Sequence, residues 1–147
     1  MRIVFDTNVV VSAMLSPSGT AADALRLALH RHVQLCASEV ILREYGEVLR
    51  RPKFRCPPQV VSALLRAIRV VAVLVAPTAP LAVTSDAADN RFLECADAAN
   101  ADCVVTGNTR HFPAAWGRTR VVTARELIEL VTPRPDAGRC LREGALG

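Results

Sequence analysis

An aspartate set in an apolar run is the first residue whose type and position call for chemistry. The chain opens Met1-Arg2-Ile3-Val4-Phe5-Asp6-Thr7-Asn8-Val9, and apolar residues resume as far as Ala13. An ionised carboxylate in such a run is costly unless a cation, a hydrogen-bond network or solvent at a strand end compensates it. Asp6 is therefore a candidate ligand. The alternative is that Asp6-Thr7-Asn8 forms a turn or helix N-cap whose side chains satisfy backbone donors. Asn108 follows a second apolar stretch, Cys103 to Val105, through Thr106 and Gly107, while Glu44 and Asp89 fall in helical patterns. Acids on helices are ordinarily just solvated, so Glu44 and Asp89 gain meaning only if the fold brings them to Asp6.

Four such residues can meet where strands of a parallel sheet end side by side. Arg2 to Ala13 reads as a strand buried on both faces, and Val33 to Cys36, Val70 to Val75, Cys103 to Val105 and Arg120 to Val122 read as further strands. Helices alternate with them. Thr20 can cap one that carries the stripe Ala21, Ala24, Leu25, Ala28 and Leu29. Ser38 can cap the next, with Val40, Ile41, Val48 and Leu49 on one side and Glu44 about two turns in. A helical pattern follows from Gln59 to about Arg66, and another from Asp86 to Ala99 carries Asp89 near its start. Thr123 and Glu126 form a capping-box pattern for a last helix ending near Val131. This alternation predicts an α/β fold of three layers, α/β/α, around a central parallel sheet of four to five strands. Ligands are expected beyond the strands' carboxyl ends, which places Asn108 near Asp6.

At 147 residues the chain fits one domain. The packed unit is expected over 1–131, with 132–147, rich in Pro, Gly and Arg, as a loose tail. Apolar residues make up 51% of the chain and charged residues 22%, which argues against disorder. Asp6 interrupts what would be a secretory apolar segment, and no apolar run is long enough to span a bilayer, so a cytoplasmic protein is expected. The five cysteines, Cys36, Cys56, Cys95, Cys103 and Cys140, form no C-x-x-C pair and read as reduced thiols. The net charge is +4, and Lys53 is the only lysine among 18 basic residues. Arginine suits bidentate phosphate contacts, although arginine and alanine richness can equally reflect coding bias.

Taken together, four segments resemble the motifs of PIN domains, and most closely those of the toxin components of toxin–antitoxin pairs. The opening strand with Asp6-Thr7-Asn8 is similar to the first motif. Ser38 to Leu49 with Glu44, followed by Arg51-Pro52-Lys53-Phe54, is similar to the second. Asp89-Asn-Arg-Phe-Leu-Glu-Cys-Ala96 is similar to the third, and Ala101 to Asn108 with His111-Phe112-Pro113 to the fourth. Each segment alone is unspecific; their order and spacing carry the resemblance, over roughly Met1 to Val131.

The resemblance implies a metal-dependent endoribonuclease in which Asp6, Glu44 and Asp89 bind Mg2+ or Mn2+, Asn108 joins the catalytic set, and Asn8 and Thr106 give hydrogen-bonding support. Oxygen-only ligands suit such hard cations and not zinc. The chemistry implied is hydrolysis of RNA phosphodiesters, restrained in its cell by a small antitoxin protein in a VapC-like pair, with a homodimer or higher homo-oligomer as the assembly. The apolar stripes of the Thr20 helix and of the helix after Gln59 can supply a partner surface, but the core needs them too. Many family members carry aspartate where this chain has Asn108, which removes one negative charge and leaves open whether a second ion binds. Asp86 is a possible substitute in a supporting place, and Asp97 reads as exposed. Arg43, Arg50, Arg51, Lys53, Arg91 and Arg110, with Arg55 nearby, are the candidate RNA contacts; their alternative is a solvated helix end favoured by the macrodipole. With one Trp, one Tyr and four Phe, a row of aromatics that stacks bases is not expected. Two other readings stay open: a catalytically weak PIN-like module that binds RNA or protein, and a phosphatase with Asp6 as nucleophile. The second lacks its usual partner acid, since Asn8 stands there, and has no strand-end lysine.

Overall fold

The computed structural model describes residues 1–77, 80, 81 and 87–132. The chain runs β1 (Arg2–Phe5), α1 (Thr7–Leu15), α2 (Thr20–Leu29), β2 (Gln34–Ala37), α3 (Glu39–Leu49), a 3-10 turn (Pro52–Phe54), α4 (Pro58–Val71), β3 (Val73–Leu74), α5 (Ala87–Ala99), β4 (Cys103–Val105), a second 3-10 turn (Thr109–His111), β5 (Ala115–Trp116), β6 (Thr119–Val122) and α6 (Ala124–Val131). The strands form one sheet in the order β3-β2-β1-β4-β6-β5. Five of them are parallel, as expected, and the two-residue β5 adds an antiparallel edge against β6. Helix α5 crosses β1, β2 and β4, while α1, α2, α3, α4 and α6 pack on one another, giving the expected layered α/β/α arrangement.

Parallel strands need apolar residues on both faces, and the central strands supply them. Ile3, Val4, Phe5, Leu35, Cys36, Val104 and Val105 are all fully buried. Register aligns Phe5 of β1 with Val105 of β4, and Val105 with Val122 of β6. The three strands therefore end level. Asp6, Thr106 and Thr123 are the next residues of each.

Two expected strands are shorter than their apolar runs. The first ends at Phe5, and Thr7 to Leu15 is a helix whose Val9, Val10, Val11 and Ala13 are buried. Apolar content alone does not separate a buried strand from a buried helix, and the Asp6-Thr7-Asn8 turn is where the backbone changes course. Val70 and Val71 belong to α4, whose Val61, Leu64, Leu65, Ile68 and Val71 recur at helical spacing; only Val73 and Leu74 form a strand, an exposed one at the sheet edge. Gly19, not Thr20, occupies the cap position of α2. Val40 is exposed, and the buried side of α3 is Ile41, Leu42, Tyr45, Gly46 and Leu49.

Other expectations hold. Ser38 caps α3 by accepting from the Ile41 amide at 3.3 Å, and Thr123 and Glu126 close a reciprocal capping box on α6. Cys36, Cys95 and Cys103 are buried free thiols and Cys56 is half-buried. Burial pushes the Cys95 thiol up to about 12, with Cys36 adding to it. Among the described residues no helix is long and apolar enough to cross a membrane. Asp86, Cys140 and all of the expected tail except Thr132 lie outside the described residues.

Candidate active site

Asp6 is placed by β1 and by the helix it precedes. Its amide donates to the Val105 carbonyl at 2.9 Å, continuing the β1–β4 ladder one residue past the strand. Its backbone is extended, at the cap position of α1, yet its side chain makes no capping hydrogen bond. The turn reading thus holds for the backbone only. The carboxylate instead accepts from Thr106 Oγ1, at 2.6 Å, across the neighbouring strand end.

This carboxylate is 7% exposed. Burial raises its pKa above the usual aspartate value; Thr106, the nearby amides of Thr7 and Asn8, and the charge of His111 offset part of that rise. A buried carboxyl held by one hydroxyl and exposed to little water gains from any cation that reaches it.

Around Asp6 the neighbouring elements supply an oxygen-rich rim. The Thr7 hydroxyl, first in α1, donates to Glu44 Oε2 of α3, so the second acid is tied to the residue beside the first. Asn8 Oδ1 accepts from the Gly107 amide at 3.1 Å. Thr106 Oγ1, while donating to Asp6, accepts from the Asn108 amide at 3.0 Å. Asp89 enters from the start of α5, mostly buried at 13% side-chain exposure, with Oδ2 3.6 Å from His111 Nδ1. Tyr45, fully buried one residue after Glu44, donates to the Phe5 carbonyl. Burial raises its hydroxyl well above the ordinary tyrosine value, with Cys95, Asp6 and Glu44 contributing.

The expected site residues therefore divide. Asp6 and Thr106 are joined directly, Asn108 joins them through its backbone amide, Asn8 is held to the adjoining Gly107 amide, and Glu44 is bound to Thr7 beside Asp6. Asp89 is linked through His111, whose charge also reaches Asp6. The Asn108 side chain is exposed. Among the described residues, no three His, Cys, Asp or Glu side chains stand close enough together to form a metal site by themselves. The donors are oxygens, so the set fits a hard divalent cation.

The basic residues are spread more widely. Arg43, Arg50, Arg51, Lys53, Arg91 and Arg110 are all exposed. Arg50 is the C-cap residue of α3, Arg51 is the cap of the 3-10 turn after it, and Lys53 lies within that turn. Arg43 and Arg50 line a cleft of about 320 Å3 between α3 and α4, shared with Glu39, Glu47 and Arg69. Arg110 lies in the Gly107–His111 loop beside Asn108, and Arg91 follows Asp89 by two residues on α5.

Sequence reasoning missed Thr7 and Tyr45 and set His111 aside. Thr7 was legible as part of Asp6-Thr7-Asn8 but not as the link to Glu44, because that link spans 37 residues. Tyr45 carries no signal in a helix pattern beyond its apolar place.

Comparisons with known proteins agree with this geometry. The PIN domain family profile matches residues 2–110. An uncharacterized protein of Methanocaldococcus jannaschii is 30% identical over 111 residues, covering 74% of this chain and 71% of that protein. In fold, the chain resembles the crystal structure of VapBC2 from Rickettsia felis bound to a DNA fragment from its promoter, with a TM-score of 0.55 and 16% identity, covering 82% of this chain and 97% of that one. The family match covers well over half of the chain, and the chain belongs to the PIN domain family, whose members are generally nucleases that use divalent metal ions.

Proposed function

We propose that this protein is an endoribonuclease dependent on Mg2+ or Mn2+, acting as the VapC-like toxin of a toxin–antitoxin pair in the cytoplasm. The observation that carries the proposal is the buried Asp6 carboxylate at the level ends of β1 and β4, held by Thr106, with Glu44 bound to the adjoining Thr7 and Asp89 set 3.6 Å from His111. Asp6, Glu44 and Asp89 would hold the cation, with the Asn108 carboxamide as a further neutral oxygen. When bound, a divalent cation acidifies water and steadies charge on the phosphate.

The chain's own residues do the rest. Thr106 and Thr7 fix the directions of Asp6 and Glu44, so neither carboxylate must reorganise when substrate arrives. Asn8 pins the Gly107 turn and so holds Asn108 beside Thr106. His111 partners Asp89 and brings a group able to carry positive charge to a site of clustered acids, which lessens their repulsion of RNA. Arg43, Arg91 and Arg110, each close in sequence to Glu44, Asp89 or Asn108, are the proposed phosphate contacts, whereas Arg50, Arg51 and Lys53 extend the path beyond α3 or serve solvation. The working unit is 1–131. The antitoxin is a protein partner that covers the acidic site, and the assembly is a homodimer or higher homo-oligomer.

The test is cleavage of single-stranded RNA by purified protein in Mg2+, Mn2+ or chelator, beside Asp6→Asn. Expected is cutting that needs the cation and falls by about a thousandfold or more in the folded variant. RNA binding without cutting under any cation would instead support the binding-module reading; cutting that persists in chelator or in the variant would overturn the proposal.

A further inference from the structure

A second cleft opens next to the acidic centre, on the side away from Glu44. Its volume is about 470 Å3, within the ~300–1,000 Å3 common for small-ligand sites. Asn8, Thr106 and Gly107 form one wall; Thr106 donates to Asp6, and Asn8 accepts from the Gly107 amide beside it. Ser12 of α1, Thr20 of α2 and Arg125 of α6 face it from the other sides. The cleft is thus contiguous with the candidate active site but is made from different elements.

Its chemistry is the opposite of the acidic centre's. Arg125 is the one charged side chain in the lining. Among the described residues, the Ser12 and Thr20 hydroxyls and the Arg125 guanidinium make no hydrogen bond or ion pair. Arg26, Arg69 and Arg118 are ion-paired with Asp23, Glu39 and Asp102; Arg125 differs from the other unpaired arginines in lining a cleft that adjoins Thr106. A guanidinium left free beside two free hydroxyls offers several donors at once, the pattern that recognises the non-bridging oxygens of a phosphodiester. A strand crossing the acids must also leave them, and here it meets a cation within one wall's width of Asp6.

We infer that this cleft is a subsite for the phosphodiester next to the one that is cut, with Arg125 as its principal contact and Ser12 and Thr20 as supporting donors. The inference rests on the nuclease reading above and adds to it which neighbouring phosphate the protein grips. Arg125 is a binding and positioning residue: it sets where the strand lies and takes no part in bond breaking.

The test places a single neutral methylphosphonate linkage at successive positions along a single-stranded RNA and measures cleavage in Mg2+. With wild-type protein, one position adjoining the cut lowers kcat/KM by about tenfold. Arg125→Gln lowers kcat/KM on unmodified RNA by a similar factor, chiefly through KM, and no longer responds to the neutral linkage at that position. Its salt slope falls by about one, and Arg125→Lys recovers much of the loss. Arg120→Gln, an exposed charge near the amino end of β6, is the control and leaves these values unchanged. Persistence of the linkage effect in Arg125→Gln, or an unchanged KM, overturns the subsite. If wild-type protein cuts none of the RNAs, the nuclease reading falls, and fluorescence anisotropy on the same RNAs judges the subsite separately. Coupling between the neutral linkage and Arg125 in binding upholds it, and absence of coupling or of binding ends it.

Discussion

At the scale of single residues the site is a set of costs offset by neighbours. Asp6 titrates above the usual carboxylate range because burial outweighs Thr106 and the local amides. Between the ordinary aspartate pKa and this raised value, the folded protein holds a proton that the unfolded chain has released. Stability from this group is full below the ordinary aspartate pKa and is lost as pH rises through the raised value. Asp6→Asn cannot ionise, so in chelator at neutral pH its thermal midpoint lies above that of wild type, and the gap closes as pH falls to about 4. Added Mg2+ raises the midpoint of wild type and not of the variant; a variant less stable than wild type in chelator would contradict the burial account. Thr106 sets the other side of the balance. Thr106→Val removes the donor to Asp6 and the acceptor of the Asn108 amide, so divalent-cation affinity falls by about tenfold or more, read by titration calorimetry at neutral pH. An unchanged affinity would mean that Thr106 only packs.

Elements decide which of these residues meet. Strands β1, β4 and β6 end level, and this brings Asp6, Thr106 and Thr123 into one row although 117 positions separate the outer two (6 to 123). Helix α3 brings Glu44 to that row because its buried side docks Tyr45, whose hydroxyl reaches the Phe5 carbonyl of β1. Tyr45→Phe leaves that contact unmade at a buried site. The expected loss is about 1–2 kcal/mol in urea unfolding, with a fall in cleavage rate if the shift of α3 also loosens the Thr7–Glu44 bond. A variant as stable as wild type would assign the tyrosine to packing alone. The sequence made several elements legible, including β4, the Ser38 cap and the Thr123–Glu126 capping box, because each is signalled within a few residues. It did not reveal where β1 ends. Apolar residues resume after Asp6-Thr7-Asn8 and run on to Ala13 with only Ser12 between, and a helix and a strand buried on all sides share that composition. Nor did it separate α4 from β3, where a β-branched run overlaps a helical spacing.

For the whole molecule, the described core is closed by α6. Leu127 is fully buried, and the last backbone bond of the helix runs from the Thr132 amide to the Ile128 carbonyl. A chain ended after Thr132 is expected to keep its thermal midpoint within about 2–4 °C, the equivalent of ~1 kcal/mol or less for a domain of this size, and to keep its cleavage of RNA. A larger fall would place 133–147 within the folded unit.

The sequence by itself determined the layered α/β class, the parallel core of the sheet and the candidate acids, because apolar periodicity, capping residues and motif order are properties of short segments. Only the tertiary structure decided that Asp6 leans on Thr106, that Thr7 ties Glu44 into the network and that His111 stands against Asp89. These relations join residues 20 to 100 positions apart, and their direction depends on strand register and helix docking. The same docking leaves Arg125 free beside the site, a property that no local pattern around residue 125 contains.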